Sequence, residues 1–449
     1  MSGLIARVGG GLPPSYWKLW LASAGSNLAD GMFWIALPLL AVRLTDSPGL
    51  IAGVLVASRL PWLLFALVAG ALADRLDRRR TMILVDLFRA GLLGGLAAAT
   101  FADLASLPLL YVVAFALGVA ETLFDTSAQS IMPNLVEPDR LSRANGRLYA
   151  VELTMNQFVG PPVGGFLAAA GIGLAFGTGA AAYLLAAVSL LTIAGSFRPV
   201  REGPPTRMHH EIAEGLRYLF GHPLLRVLAL MVGISNLASS AVFSIFVLYA
   251  VAPGPLGLDE VGFGLLTTAL AVGSLIGSFL VERFERLLGR ANLLAIAMGV
   301  NALVLMAPAL TTFVPAIAAA WVVGGLVGIG WNVVTVSLRQ RIVPDRLLGR
   351  VNASYRLLAW GTMPVGAALG GIAGEVFGVR AVFLIFGGLS TLLVLGRLVV
   401  TDNAIADAEH AAELASERAA ERAAAPPDAG EPAAGEPAAG EPAGQSIGQ

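Results

Sequence analysis

The sequence predicts an all-α membrane protein with twelve transmembrane helices in two pseudo-symmetric six-helix bundles, both termini being cytoplasmic. Three observations lead to this fold class. Hydrophobic residues make up 56% of the chain and charged residues 13%, against roughly 25% charged residues in soluble domains, and the mean hydropathy is +0.76. Apolar runs of about 20 residues, each long enough to span a bilayer as a helix, recur along the chain. The second half also repeats motifs of the first.

Six apolar runs form the predicted first bundle, residues 16–197, which follows a cytoplasmic N-terminal segment, residues 1–15. We place its spans at residues 16–44, 49–71, 81–101, 107–135, 148–170 and 174–197. Polarity then rises over residues 198–222, where prolines precede the amphipathic segment EIAEGLRYLF. This stretch is the predicted cytoplasmic linker between the two bundles.

The predicted second bundle, residues 223–402, has spans at residues 223–251, 262–281, 291–310, 315–342, 351–377 and 379–400. VEPDRLSRANGRLY, after the fourth span, is echoed by VPDRLLGRVNASYR after the tenth, and Gly164-Gly165 by Gly370-Gly371. An offset of about 206 residues relates both pairs, as expected for two parallel structural repeats. Residues 403–449 are the predicted disordered cytoplasmic tail without a dedicated role. Its residues 403–425 are rich in alanine and glutamate and are expected to be at most transiently helical, and residues 426–449 repeat GEPAA.

The distribution of arginine predicts the orientation of the spans. Lys18 is the one lysine of the chain, so arginine carries nearly all of the positive charge. Most loop arginines follow even-numbered spans, whereas the opposite loops hold Arg43 and Arg380. Because arginine-rich loops stay on the cytoplasmic side, we expect a multi-pass protein of the inner (plasma) membrane with both termini in the cytoplasm.

A charged hinge, GALADRLDRRR at residues 70–80, joins the second and third spans. It resembles the loop signature G-x-L-a-D-R-x-G-R-R of the major facilitator superfamily, although Asp77 stands where the family often has glycine. The resemblance implies the major facilitator fold, a small-molecule transporter and a monomer. It also implies a conformational latch, in which an acid of the fourth span pairs with the hinge arginines. The residues assigned to this latch are Gly70, Asp74, Arg75, Arg78, Arg79 and Asp125.

Ionisable side chains within spans are costly unless they are paired or line a cavity, so they mark functional positions. They are Asp30, Arg59, Asp86, Arg89, Glu121, Asp125 and Glu152, all in the first half. We therefore expect charge movement in the first bundle, whereas the second contributes shape. Asp30, Glu121 and Arg59 lie midway along their spans and are the candidates for proton coupling. The alternative is that Arg59 or Arg89 neutralises the acids in a permanent structural pair; Asp86 and Arg89, three residues apart, are interpreted as structural.

The fifth span contains GPPVGG, which resembles the G-P-x-x-G-G core of the antiporter signature of the superfamily at Gly160, Pro161, Gly164 and Gly165. The prolines remove backbone donors and bend the helix, and the glycines let a neighbouring helix approach closely. Ordinary helix packing explains the glycines equally well. The fourth span lacks the arginine of many drug/proton antiporters, since Ala114 occupies its position four residues before Gly118.

Polar and aromatic residues at similar depth are candidates for a substrate cavity between the bundles, near the midplane. They are Asn27, Phe33, Trp34, Phe124, Met155, Phe158, Asn236, Trp331 and Asn332. For any one of them, packing against lipid is the alternative. Several segments, among them LADGMFWIALPLLAVRLTDSP and EIAEGLRYLFGHPLLR, resemble the enterobactin-exporter and macrolide-efflux branch of the superfamily.

These observations favour proton-coupled export of a small amphiphilic compound (a drug, siderophore or secondary metabolite) by alternating access. A proton-driven importer or uniporter and a non-transporting membrane sensor or scaffold remain the alternatives. No nucleophile and base are paired as in an enzyme, and no GxxxxGK[ST] loop indicates use of ATP. The chain has no cysteine, and its histidines lie in the linker and tail, so we expect no metal site and no cofactor. The net charge of −1 gives no reason to expect a nucleic-acid partner.

Overall fold

The computed structural model describes residues 12–73, 76–195, 197 and 208–424, which fold as an all-α protein. Eleven of the described helical segments are long and apolar enough to cross a membrane. The helix bounds are Pro14–Leu44 (α1), Pro48–Ala73 (α2), Arg78–Phe101 (α3), Leu107–Leu135 (α4), Leu141–Leu153 (α5), Gly160–Ala170 (α6), Ile172–Leu191 (α7), Met208–Gly221 (α8), Pro223–Ala250 (α9), Glu260–Leu288 (α10), Arg290–Leu310 (α11), Val314–Ile342 (α12), Asp345–Phe377 (α13), Val379–Leu392 (α14) and Asp402–Ala424 (α15).

Local sequence signals explain where several helices begin and end. The Asp77 carboxylate accepts a hydrogen bond from the backbone N–H of Arg80 (3.0 Å) and so caps α3. Asp259 caps α10 in the same way, through the N–H of Gly262 (2.7 Å). Gly289 ends α10 at φ 77°, a left-handed conformation that glycine adopts without strain.

The predicted fifth span is helical throughout residues 141–170, but it is not one regular helix. A π-helical turn, Thr154–Val159, separates α5 from α6. Pro161 and Pro162 lie in the first turn of α6 and lack backbone N–H donors, so the hydrogen bonds of a regular α-helix cannot continue across this point. The equivalent α13 of the second half is continuous, so the irregularity belongs to the first half alone.

The helices pack as two related bundles. In the first bundle α2 packs on α4, α3 on α7, and α1 on α6; in the second, α10 packs on α12, α11 on α14, and α9 on α13. The two most extensive contacts between the bundles are α2 with α13 and α6 with α10. The repeat that relates the bundles converts one of these contacts into the other. This arrangement is that of two parallel repeats facing each other.

Glycines of the repeat allow the two close approaches between bundles. A Cβ atom on Gly165 of α6 would lie 2.5 Å from the carbonyl oxygen of Glu260 in α10. A Cβ atom on Gly371 of α13 would lie 2.7 Å from the Ala52 side chain in α2. The repeat noticed in the sequence therefore marks the places where the bundles touch.

The apolar core shows where the bundles are joined. We call the face that carries residues 45–47, 102–106, 251–259 and 311–313 the distal face, and the opposite face, which carries α15, the proximal face. Toward the distal face one core cluster contains residues of both bundles, such as Met32, Ile51, Phe246 and Trp321. Toward the proximal face each bundle has its own cluster. The bundles thus share one apolar core distally, whereas proximally each bundle has a core of its own.

The structure corrects part of the prediction for the tail. Disorder was expected from residue 403, but α15 (Asp402–Ala424) is a helix docked on the second bundle. Its Ile405 is 2% exposed, and Glu409 lies 2.7 Å from Arg290 and 3.3 Å from Arg341. Composition missed this docking because alanine and glutamate also favour a helix once a few side chains find partners. Residues 425–449, with the GEPAA repeats, lie outside the described residues.

Replacing Glu409 by glutamine is expected to loosen α15 without impairing the bundles. Its two ion pairs are partly exposed, so each contributes at most about 1 kcal/mol. Hydrogen exchange should become faster in residues 402–424 of Glu409→Gln and remain unchanged in the bundles. Glu417→Gln, at an exposed position of the same helix, is the control; equal exchange in both variants would show that Glu409 does not hold the helix.

Candidate functional site

A cavity of about 480 Å³ lies between the two bundles, within the size range of small-molecule sites. Residues of α1, α2, the π-helical turn, α6, α9, α10, α12 and α13 line it. Its apolar side chains include Trp34, Phe243, Phe246, Phe263, Trp321 and Met363. Its polar side chains include Arg59, Asn156, Gln157, Ser239, Ser240 and Thr267.

Packed aromatic rings of the second bundle form one wall of the cavity. The ring of Trp321 lies 5.3 Å from Phe243 and 5.0 Å from Phe246, and Phe246 stacks on Phe263 at 6.2 Å. The indole N–H of Trp321 donates to the carbonyl of Val304 (3.2 Å), which fixes the ring. This wall is apolar and held in place by its own packing.

Arg59 supplies the charge of the first bundle at this cavity. Its guanidinium carbon lies 4.0 Å from the centre of the Trp34 ring, a cation–π contact. Its Nε atom is buried and has no hydrogen-bond partner among the described residues. Glu121, Asp30 and Asp125 act on it electrostatically. None of the described ion pairs includes Arg59.

Behind the cavity, Asp30 of α1 is tied to two other helices. The Tyr183 hydroxyl of α7 donates to Asp30 Oδ1 (2.5 Å), and Arg89 Nη1 of α3 lies 3.7 Å from Asp30 Oδ2. Arg89 also lies 4.0 Å from Asp86, which accepts from the Ser26 hydroxyl at 3.0 Å. The sequence paired Arg89 with Asp86, or in the alternative with the mid-span acids; the structure shares it between Asp86 and Asp30.

Arg89 is fully buried but makes no hydrogen bond within the described chain. It is 1% exposed, and none of its three side-chain nitrogens has a hydrogen-bond partner among the described residues. Its guanidinium carbon lies 5.3 Å from the Phe124 ring and 5.1 Å from the Tyr183 ring. Electrostatic attraction to the two carboxylates and to these rings therefore holds the charge.

Asp30 and Glu121 line one narrow cleft between α1, α2 and α4. Its volume is about 20 Å³, which is room for about one water molecule. Trp34 lines both this cleft and the larger cavity. At Gly118 of α4 a Cβ atom would lie 2.4 Å from the carbonyl oxygen of Ser58, so a side chain there would force α2 and α4 apart.

The structure does not bring Asp125 to the hinge arginines it describes. Arg79 donates to the carbonyls of Leu190 (2.9 Å) and Leu191 (2.7 Å) at the end of α7, and Arg78 donates to Asn134 (3.0 Å). Asp125 stands ten residues before the end of α4 at Leu135, about 15 Å of helix, which is too deep for this contact. The expected pairing therefore needs correction for this conformation. Asp74 and Arg75 lie outside the described residues, as do the surroundings of Gly70.

Asp125 lies close enough to the other bundle to act across the boundary. It acts electrostatically on Arg356 of α13. The Arg356 guanidinium carbon lies 4.5 Å from the Trp360 ring, and Trp360 meets Trp62 of α2 edge-on at 5.1 Å. Charge and aromatic contacts thus meet at the boundary between the bundles, on the proximal side of the cavity.

Most of the proposed cavity residues lie elsewhere. Trp34 lines the cavity and Phe33 the cleft. Phe124 and Trp331 are buried in the two proximal cores, and Met155 packs against one of them. The amides of Asn27 and Asn236 donate to backbone carbonyls, at 2.9 Å and 2.7 Å respectively. Phe158 is half-buried and Asn332 exposed. Hydropathy gives depth, but it cannot give the direction in which a side chain points.

Sequence reasoning missed several polar residues of the spans. Arg339, Arg356 and Glu375 lie within membrane-crossing helices of the second half, so ionisable side chains are not confined to the first. Arg339 is buried and its guanidinium carbon lies 3.7 Å from the Tyr355 ring. Tyr183 was missed because a tyrosine in an apolar span carries no charge that would draw attention to it.

At the distal face two polar contacts hold the bundles together, and we call them the distal clasp. Arg43 Nη2 of α1 lies 2.8 Å from Glu260 Oε1 of α10. The Glu375 carboxylate of α13 accepts hydrogen bonds from the Ser47 hydroxyl and from the N–H of Gly49 (3.1 Å). Since the clasp lies above the shared core, the cavity is closed on this side.

Comparison with solved structures supports the fold. The nucleoside transporter NupG superimposes with a TM-score of 0.66 at 14% identity, over 86% of this chain and 99% of that one. A bacterial homologue of the iron transporter ferroportin, in an inward-facing state, superimposes with a TM-score of 0.65 at 15% identity, over 85% and 98% of the two chains. At these identities the likeness concerns architecture alone.

Relatives with similar sequences extend over nearly the whole protein. The multidrug efflux pump Tap of Mycolicibacterium fortuitum is 27% identical over 400 residues, covering 84% of this chain and 93% of its own. The enterobactin exporter EntS of Salmonella typhimurium is 25% identical over 403 residues, covering 86% and 93%. Residues 14–427 match the family described as transmembrane secretion effectors. The resemblance drawn from the hinge is thereby confirmed, and the chain belongs to the transmembrane secretion effector family of the major facilitator superfamily, a family of multi-pass membrane transporters.

Proposed function

We propose that this protein is a twelve-span secondary transporter that exports a small amphiphilic compound in exchange for protons, by alternating access. One observation carries the proposal. Asp30 and Glu121, on two different helices, line a cleft that meets the cavity between the bundles at Trp34. Carboxylates beside a substrate cavity can exchange protons as the cavity alternates between the two sides.

The twelfth span in this proposal is the irregular segment over residues 141–170. It is helical throughout and packs beside α1, as a spanning helix would. With twelve spans both termini lie on one side. The arginine distribution supports the cytoplasm as that side, for a protein of the inner membrane. The distal face is then the outer face, and the chain acts as a monomer.

The relatives support export as the direction. One is named as a multidrug efflux pump and the other as an exporter of enterobactin. Both names concern organic compounds, which agrees with the largely aromatic cavity. We therefore assign to this chain an organic substrate of small size that leaves the cell.

The contacts between the bundles support alternating access. The shared distal core, the distal clasp and the separate proximal cores are consistent with a cavity open toward the cytoplasm. Gly160, Pro161, Gly164 and Gly165 form the close-packed contacts around which α6 moves. In the outward-open state the hinge residues Gly70, Asp74, Arg75, Arg78 and Arg79 close the cytoplasmic side, as the superfamily resemblance implies.

Transport by inside-out vesicles tests the function. Vesicles from cells with and without the protein are given a panel of labelled drugs and siderophores, with the proton gradient intact or collapsed. Protein-dependent accumulation that disappears on collapse supports proton-coupled export. Accumulation in right-side-out vesicles alone would indicate import, and no accumulation of any compound would contradict a transport function. Deletion of residues 403–449 should leave transport intact, whereas a sensor or scaffold that signals through the tail would lose its role.

Weakening the distal clasp is expected to expose the cavity to the outside. Because the chain has no cysteine, a cysteine placed at Ser239 is its single thiol and lies in the cavity wall. A membrane-impermeant maleimide added outside should label it faster when Glu375→Gln replaces the charged acceptor of the clasp by a neutral and weaker one. Glu137→Gln, at an exposed position of a proximal loop, is the control. Equal labelling rates in the two backgrounds would show that the clasp does not hold the outer side closed.

A further inference from the structure

We infer that the cavity between the bundles binds an amphiphilic aromatic anion, whose negative group is held by Arg59. This inference rests on the proposed function and specifies its substrate class. It assigns to Arg59 a role in binding, whereas the sequence pointed to proton coupling. Three observations support it: the position of the guanidinium, its lack of a hydrogen bond or ion pair among the described residues, and the composition of the cavity wall.

The charge of the cavity lining has one sign. Among the described residues that line it, Arg59 is the charged side chain, and the other polar groups are amides and hydroxyls. Asp30 and Glu121 belong to the neighbouring cleft instead. A ligand in the cavity therefore meets a cation directly, whereas the carboxylates lie behind the ring of Trp34.

The guanidinium is available for a ligand. It makes no hydrogen bond and no ion pair with a described residue, and its Nε is buried without a partner. Arginine presents several N–H donors in a planar fork that matches a carboxylate, sulfonate or phosphate. A buried N–H donor without an acceptor is unfavourable, so an anionic group that accepts from this fork would stabilise the site. The Trp34 ring, 4.0 Å from the guanidinium carbon, keeps the fork in place.

The other side chains of the cavity wall indicate the chemistry of the uncharged part of the ligand. Phe243, Phe246, Phe263 and Trp321 form the aromatic face, and hydroxyls of Ser239, Ser240 and Thr267 lie among them. Aromatic rings pack well against such a face. A flat aromatic body therefore fits the aromatic wall, and one acidic group on it fits Arg59. A cationic drug would instead meet the positive charge of Arg59, with no carboxylate among the described residues that line the cavity.

A matched pair of fluorescent probes tests the inference. Anilinonaphthalene sulfonate is an aromatic anion, and phenylnaphthylamine has the same ring system without the charge. Binding of each is measured to purified protein in nanodiscs of neutral lipid, with empty discs subtracted. We expect Arg59→Gln to weaken sulfonate binding about ten- to hundredfold, as for loss of a charge-assisted hydrogen bond, and to leave phenylnaphthylamine unchanged. Arg226→Gln, which removes an exposed arginine of α9, should bind both probes like the wild type.

A second variant keeps the test decisive if Arg59→Gln does not fold. Gln157 lines the cavity, and Gln157→Glu adds a negative charge there with almost no change in shape. It should weaken the sulfonate and spare the neutral probe. Sulfonate binding that survives unchanged in either folded variant would overturn the inference.

Transport on the same variants separates this inference from the proposed function. Export of an anionic aromatic compound that is unaffected by Arg59→Gln would leave the exporter intact and refute the anion site. Arg59-dependent probe binding, without transport of any anionic, neutral or cationic compound, would support the anion site and refute the transport function.

Discussion

In a variant with Glu121 replaced by glutamine, export driven by an inward proton gradient should fall to the level of protein-free vesicles. Glutamine keeps the shape of the side chain but cannot gain or lose the proton, and Glu121 lines the cleft beside the cavity. Movement of substrate down its own gradient should persist, because the cavity is unchanged. Accumulation of labelled substrate, with and without the gradient, measures both.

Asp103→Asn is the matched control for this carboxylate substitution. Asp103 is exposed in a loop at φ 56°, a conformation that asparagine tolerates. Its transport should equal that of the wild type. Gradient-driven export retained in Glu121→Gln would contradict coupling through this residue.

Asp30→Asn should lose gradient-driven export as well, and it should also be less stable. Asp30 is one of two carboxylates that balance the buried Arg89, and removing one partner of a buried charge is destabilising by up to about 3–5 kcal/mol. A lower thermal midpoint for Asp30→Asn than for Glu121→Gln would therefore accompany the same loss of coupling. Equal midpoints would show that Arg89 does not depend on Asp30.

Valine in place of Gly160 should prevent proper assembly of the first bundle. A Cβ atom there would lie 2.6 Å from the Cα of Gly31 in α1 and 2.8 Å from the carbonyl oxygen of Met155. These contacts are with backbone atoms, so α1 and α6 must separate. Overpacking of this kind is destabilising by about 1–3 kcal/mol or more. The yield of monodisperse protein and its thermal midpoint should both fall.

The control is Gly91→Val in α3. A Cβ atom at Gly91 meets nothing within 4 Å, so valine there tests helix propensity and surface change without a clash. Its yield and thermal midpoint should match those of the wild type. Equal behaviour of the two variants would show that α1 and α6 do not need their close approach.

The positions of the spans were largely predictable because hydropathy is a local property of the chain. The repeat was predictable for the same reason, since Gly164-Gly165 and Gly370-Gly371 stand out in sequence and prove to be contact points between helices. The break at residues 154–159 was only partly predictable. The double proline predicts an irregularity in the helix. Whether a kink or a π-helical turn results depends on how α1 packs against it.

The pairing of charges could not be read from the sequence. Whether Arg89 serves Asp86, three residues away, or Asp30 on another helix depends on how α1 and α3 are rotated about their axes. In apolar spans rich in alanine and glycine, the sequence gives little indication of which side of the helix faces a neighbouring helix. For the same reason, of the nine proposed cavity residues, Trp34 lines the cavity, while Phe124 and Trp331 are buried in cores.

Under the proposed exchange, Arg59, which is the charged side chain among the described residues of the cavity lining, has an electrical consequence for transport. In an inside-negative cell, each elementary charge moved through the full membrane potential is worth about 2.3 kcal/mol per 100 mV. An anion that leaves and a proton that enters both move in the favourable direction, so their exchange transfers two charges in the same electrical sense. Turnover would then generate a current, and voltage alone could drive accumulation when the pH is equal on both sides of the membrane.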